Sequence, residues 1–170
     1  MGSGANGSYF SNSSQPYAPS YHVVQSEFAK DKEDADIYHP TKGYYKNPLA
    51  TSITSAIKDD KVYMNGKPAH GTMTYAMDKD GNMIFAKRFN PNDSSKRSPH
   101  PTLIGGKDPQ VQCAGMIEFS KGKIVGFDNG SGHFRPNEKS LDKVTKYFDD
   151  LKIKKPKVFS SRYKGGKKYE

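Results

Sequence analysis

The sequence predicts an α+β protein: an antiparallel sheet of four to six strands, built on two hairpins, with peripheral helices. Two tight-turn signals flanked by alternating apolar residues, Asp80-Gly81 and the SKGK stretch at 120–123, predict the hairpins. An apolar stripe of Leu141, Val144, Phe148 and Leu151, at spacings of 3, 4 and 3, predicts a C-terminal helix over 137–151. No internal repeat and no strand–helix–strand rhythm argues for a parallel sheet.

Taken in order, residues 1–20 are rich in Gly, Ser, Asn and Pro and read as a flexible arm. Residues 26–36, SEFAKDKEDAD, read as a polar helix with Ser26 as N-cap. Pro40 and Gly43 mark a loop, and TSITSAIK (51–58) reads as a short helix with Ile53, Ala56 and Ile57 on one side. KVYMNGK predicts a strand into an Asn65-Gly66 turn. TMTYAM alternates Met73, Tyr75 and Met77 on one face, and MIFAKRF returns after DKDGN. Residues 90–110 read as a loop, punctuated by Pro91, Pro99, Pro101, Gly105, Gly106 and Pro109. VQCAGMIEF places Val111, Cys113, Gly115, Ile117 and Phe119 on one face, and IVGF runs back after SKGK. Asn137 follows Pro136 as an N-cap for the last helix, and Pro156 stops its continuation. KVFSSRY (157–163) reads as a final edge strand. The expected organisation is an arm (1–20), one α+β domain (21–151) and a basic tail (152–170).

Composition narrows the function classes. The chain has 170 residues, 33% of them hydrophobic, and a mean hydropathy of −0.89. No apolar run approaches about 18 residues, so no membrane helix and no membrane partner are expected. MGSGANGSYF lacks a basic and an apolar leader region, so a start in the cytoplasm is expected. Export as an effector by a non-Sec route would leave no readable trace. The formal charge is +9, and residues 152–170 hold eight cations against Glu170 alone. Such a tail attracts phosphate backbones or acidic surfaces, or simply solvates the chain end. The single cysteine, Cys113, excludes an internal disulfide and reads as a buried small hydrophobe. His22, His39 and His70 lack metal-ligand spacing, so neither a metal nor another cofactor is expected. No GxSxG elbow, phosphate-binding Gly-rich loop or HExxH occurs.

Two stretches concentrate chemistry-bearing side chains: KRSPHPTLIGG (96–106) and DNGSGHFRP (128–136). The second hairpin should bring Ile104–Gly106 and Asn129–His133 to one end of paired strands. His133 and His100 are the expected acid–base pair, since imidazole titrates near neutrality. Arg135 presents a fork suited to phosphate or carboxylate. Thr102, Gly105, Gly106, Asn129, Ser131 and Gly132 are the expected substrate-binding positions. Their hydroxyls, amide and open backbone suit an anion nest, or ordinary turn chemistry. Ser98 is a further hydroxyl nearby, and Glu118 is the clear strand carboxylate.

SPHPTLIGG followed by VQCAGMIEF, KIVGFDN and SGHFRP resembles a module of bacterial polymorphic-toxin or effector-like C-terminal domains. It is more loosely similar to the domain of plant calmodulin-binding IQ-motif proteins. The matching positions are His100–Gly106, Cys113–Gly115 and Ser131–Pro136, within residues 97–151. QPYAPSYHVV and KGYYKNP resemble uncharacterised proteins of Gram-positive gut bacteria. Phe134 stands where that pattern has tyrosine, and Pro101-Thr102 stands where it has Ser-Ser. No IQ motif occurs, so the resemblance does not imply calmodulin binding. It implies a site at these residues and an immunity or other partner protein, and no settled activity. Three functions stay open: a small metal-independent hydrolase or transferase acting on RNA or a nucleotide, a non-catalytic ligand- or protein-binding module, and a structural corner. An ADP-ribosyltransferase-like enzyme using NAD is the rival enzyme, with Glu118 as its carboxylate.

Overall fold

The computed structural model describes residues 14–47, 51–52, 57–64, 66–87, 89–90, 93–97, 99–151, 153, 163–164 and 167–168. The central sheet is antiparallel. Its strands are β1 (Tyr21–His22), β4 (Thr51–Ser52), β8 (Gly71–Asp78), β9 (Met83–Ala86), β12 (Gln110–Ser120) and β13 (Lys123–Phe127). The order is β1-β12-β8-β9-β4, and β13 also pairs with β12. Smaller ribbons are β2 (Tyr38–His39) with β3 (Tyr44–Tyr45), and β5 (Ile57–Lys58), β6 (Lys61–Met64) and β7 (Lys67–Pro68) in series. Two more are β10 (Phe89–Asn90) with β11 (Asp93–Arg97), and β14 (Tyr163–Lys164) with β15 (Lys167–Lys168).

Both expected hairpins form. Tyr75 faces Phe85 across β8 and β9, and Ile117 faces Phe127 across β12 and β13. The alternation along β8 sorts side chains to two faces. Met73, Tyr75 and Met77 join Phe85, Cys113, Ile117, Phe119 and Phe127 in one core. Ala76 joins Ala86, Ala114, Leu103, Tyr21 and Phe134 in the other. Val111 lies in this second core, not with Cys113 as strict alternation predicts. A bulge at Gln112 is the reason: Val111 pairs with Asp78 and Cys113 with Met77, so one extra residue reverses the facing.

Helices cover both faces. Helix α3 (Leu141–Asp150) lays Val144 and Phe148 on the first core. It follows a 3₁₀ turn, Glu138–Ser140, where the Asn137 side chain accepts a hydrogen bond from the Lys139 N–H, as its N-cap position predicts. Leu151, expected on the same stripe, is 37% exposed. Helix α2 (His100–Ile104) sends Leu103 into the second core. This region was expected to be loop. Its prolines start a helix rather than prevent one: Pro99 is the N-cap and Pro101 lies in the first turn, where the missing N–H costs nothing. The helix expected over TSITSAIK is also corrected. Thr51–Ser52 pairs with β9 and Ile57–Lys58 with β6, strand ladders that outweigh a short, poorly nucleated helix. Residues 53–56 lie outside the described residues, as do Ser98, Pro156 and 157–162. Helix α1 (Gln25–Asp31) occupies part of the predicted polar helix, with Val24 rather than Ser26 at its cap. Among the described residues no helix is long and apolar enough to cross a membrane.

Candidate functional site

The site begins with a glycine. A Cβ on Gly115 would sit 2.0 Å from the Asp128 carbonyl oxygen and 2.8 Å from the Gly130 nitrogen. Only glycine lets the chain leaving β13 cross over β12 at this point. Asp128 fixes the crossing: its Oδ1 accepts from Met116 N at 2.9 Å and from Gly130 N at 2.8 Å. Tyr75 Oη donates to the Asp128 carbonyl at 2.6 Å. Phe127 belongs to the first core and Phe134 to the second. The corner between them therefore carries the chain from one face of the sheet to the other. It passes the edge of β12, where β1 (at 110–111) and β13 (at 117–120) leave a gap.

Most hydroxyls and amides of the corner hold the corner itself. Asn129 is fully buried and donates from Nδ2 to the Pro136 carbonyl at 3.0 Å. Ser131 is fully buried, and its Oγ accepts from Phe134 N at 3.2 Å. Thr102 is buried in α2 and donates from Oγ1 to the Pro99 carbonyl. Arg135 has φ +47°, a left-handed conformation rare for non-glycine residues. Its Nε donates to the Gly132 carbonyl at 2.8 Å, folding the side chain back on its own turn.

The N-terminal segment closes over this corner. Gln15 N donates to the Arg135 carbonyl and Val24 N to the His133 carbonyl, at 2.7 and 2.8 Å. So residues 14–20 of the expected arm include chain tied to the corner. Helix α1 then supplies two carboxylates spaced four apart, hence on one face. Asp31 Oδ2 lies 3.1 Å from His133 Nε2, and Glu27 Oε1 lies 3.9 Å from it. Arg135 Nη2 lies 3.5 Å from Glu27 Oε2. Asp31 is 6% exposed and accepts a 2.6 Å hydrogen bond from Tyr45 Oη. Burial, then the bond to Asp31, push the Tyr45 phenol well above its ordinary range, so it stays the donor.

Around this network is a cavity of about 220 Å³, lined by Glu27, Thr74, Pro99, His100, Gly130, Gly132 and His133. The two stretches meet at His100, Gly132 and His133, rather than at Ile104–Gly106 as expected. Both imidazoles line the cavity, but they are held differently. His100 Nε2 donates to the Gly115 carbonyl at 2.7 Å, and the residue is 6% exposed. His133 Nε2–H points at the Asp31 carboxylate, which leaves Nδ1 to carry the lone pair of the neutral ring. Gly105 and Gly106 lie elsewhere: Gly106 bridges to Tyr45, and a Cβ on Gly105 would strike Asn47 at 2.9 Å. Arg135 is buried beside Glu27 and is not among the lining residues. Glu118 is exposed on β12 and is not among the lining residues; the cavity carboxylate is Glu27. Burial pushes the Cys113 thiol up to about 12, against the smaller lowering effect of its hydrogen bond with Tyr75, so it is no thiolate nucleophile near neutral pH.

Sequence reasoning missed Glu27, Asp31, Tyr45 and Thr74. The four-residue spacing of Glu27 and Asp31 was the one visible signal. Among the described residues no group of three or more His, Cys, Asp or Glu side chains is arranged to hold a metal ion. No family model, curated protein or solved structure matches the chain.

Proposed function

We propose that the protein is a small hydrolase or transferase in which His133, oriented by Asp31, moves protons for a nucleotide-class substrate, RNA being the polymeric form. One observation carries this reading. His133 lines a cavity while its Nε2–H is committed to a buried carboxylate that is itself held by Tyr45. A carboxylate that fixes tautomer and orientation leaves the other ring nitrogen to act as base toward a bound hydroxyl or water. His133 would take that proton as the new bond to the substrate forms, and the protonated ring would pass it to the leaving oxygen as the old bond breaks. His100 is a positioning residue in this scheme, because its Nε2–H is occupied by Gly115. The toxin- or effector-like character belongs to this proposal, with an immunity protein as the partner it implies.

The NAD-using reading keeps one specific support. Glu27 places a carboxylate in the cavity, where it would stabilise the positive charge that develops on a sugar as an N-glycosidic bond breaks. Purified protein, in chelator, is incubated separately with an RNA oligonucleotide and with NAD. The expected result is cleavage of one of them, reduced at least about 100-fold by His133→Ala with an unchanged melting temperature. Loss confined to RNA cleavage supports the first reading; NAD cleavage abolished by Glu27→Gln supports the second. Binding without turnover of either would leave a binding module and overturn both.

A further inference from the structure

We infer that the enclosed part of this site takes the ribose of a nucleoside, with Glu27 as the residue that reads its hydroxyls, and leaves phosphate outside. The inference rests on the nucleotide reading above and adds which moiety enters. The volume comes first. About 220 Å³ is smaller than the roughly 300–1,000 Å³ of sites that enclose whole drug-sized ligands, so one ring-sized moiety fits and the rest of a nucleotide does not.

Electrostatics selects the moiety. Glu27 brings a formal negative charge to the lining. Its nitrogen neighbours stand at 3.5 Å (Arg135 Nη2), 3.7 Å (Lys30 Nζ) and 3.9 Å (the His133 imidazole). Each is longer than the about 2.7–2.9 Å of a charge-assisted hydrogen bond. The carboxylate thus retains acceptor capacity toward the cavity. Arg135 does not offset it for an incoming anion, because its side chain is 6% exposed and is not among the residues lining the cavity. A phosphate entering here would meet a carboxylate oxygen. A vicinal diol would instead bring O–H donors to that carboxylate. Gly132 gives the ring room, since a Cβ there would project into open space.

Binding is measured by calorimetry at low salt with adenosine, 2′,3′-dideoxyadenosine and inorganic phosphate. Wild-type protein is expected to bind adenosine at least ten-fold tighter than the dideoxy compound, and excess phosphate is expected not to compete. Glu27→Gln should remove most of that discrimination, and Glu27→Asp, which keeps the charge, should retain part of it. Equal affinity for the two nucleosides, no adenosine binding, or competition by phosphate would each overturn the inference. The ligand comparison on wild-type protein needs no variant, so a misfolded variant leaves it decisive. Adenosine binding without cleavage of RNA or NAD would defeat the catalytic reading and leave this one standing.

Discussion

Gly115 decides whether the corner can form at all. Its Cα is passed so closely by residues 128–130 that one methyl group displaces backbone, not a flexible side chain. Gly115→Ala is expected to destabilise the protein by about 3 kcal/mol or more, at the upper end of overpacking costs, read as a lower urea midpoint at constant slope. The Gly126→Ala control, where a Cβ meets nothing within 4 Å, should cost under about 1 kcal/mol. Equal costs would show that the crossing tolerates a side chain. At this scale the sequence was readable in part. His133 stood out because glycines and a proline surround it. Its partner Asp31 did not, because the two lie 102 residues apart and only the closed fold joins them. Arg135 read as a fork for phosphate or carboxylate from its chemistry alone, and it stands beside the Glu27 carboxylate. Its left-handed backbone and its bond to Gly132 turn the fork inward, and a one-dimensional pattern does not carry that information.

Elements with strong local signals formed where the pattern put them. The β8–β9 and β12–β13 hairpins have turn chemistry and alternation that agree, so local and global preference coincide. The failures were short segments. Helix α2 has only five residues and begins with the prolines that made it look like a loop. Thr51–Ser52 and Ile57–Lys58 are two-residue strands that exist only because partners are present. Helix α3 combines both kinds of support, a capped start and an apolar stripe. Phe148→Ala should cost about 3–5 kcal/mol, because the ring is fully buried among Phe127, Val144 and Ile153. Asn137→Ala should cost about 1 kcal/mol through loss of the cap to Lys139 N. Chemical denaturation of both variants tests the ranking. A larger cost at Asn137 than at Phe148 would mean that the corner, and not the packing of α3, limits stability.

Across the whole molecule, the buried clusters include a few groups that ionise at alkaline pH. Tyr75 and Cys113 touch in the first core, with Oη and Sγ 3.5 Å apart. Burial holds Cys113 up at about 12 and Tyr75 well above its usual range, and Tyr147 is likewise pushed up to about 12 by burial. Tyr45 is raised in the same direction. All are neutral in both states below about pH 8, so they add no pH dependence there. From about pH 8 upward the unfolded chain releases the cysteine proton, and from about pH 9 upward the tyrosine protons, while the folded protein keeps them. The unfolded state then binds fewer protons, and stability falls as pH rises. Each such group contributes a slope of at most about 1.4 kcal/mol per pH unit. These groups should therefore leave urea stability level up to about pH 8 and impose a steepening loss from about pH 8 to 11. Cys113→Ala should shift the onset of that loss from about pH 8 toward about pH 9, because only the phenols remain to ionise. A stability that stays level to pH 11 would mean that these groups titrate freely in the folded protein and that the first core admits water.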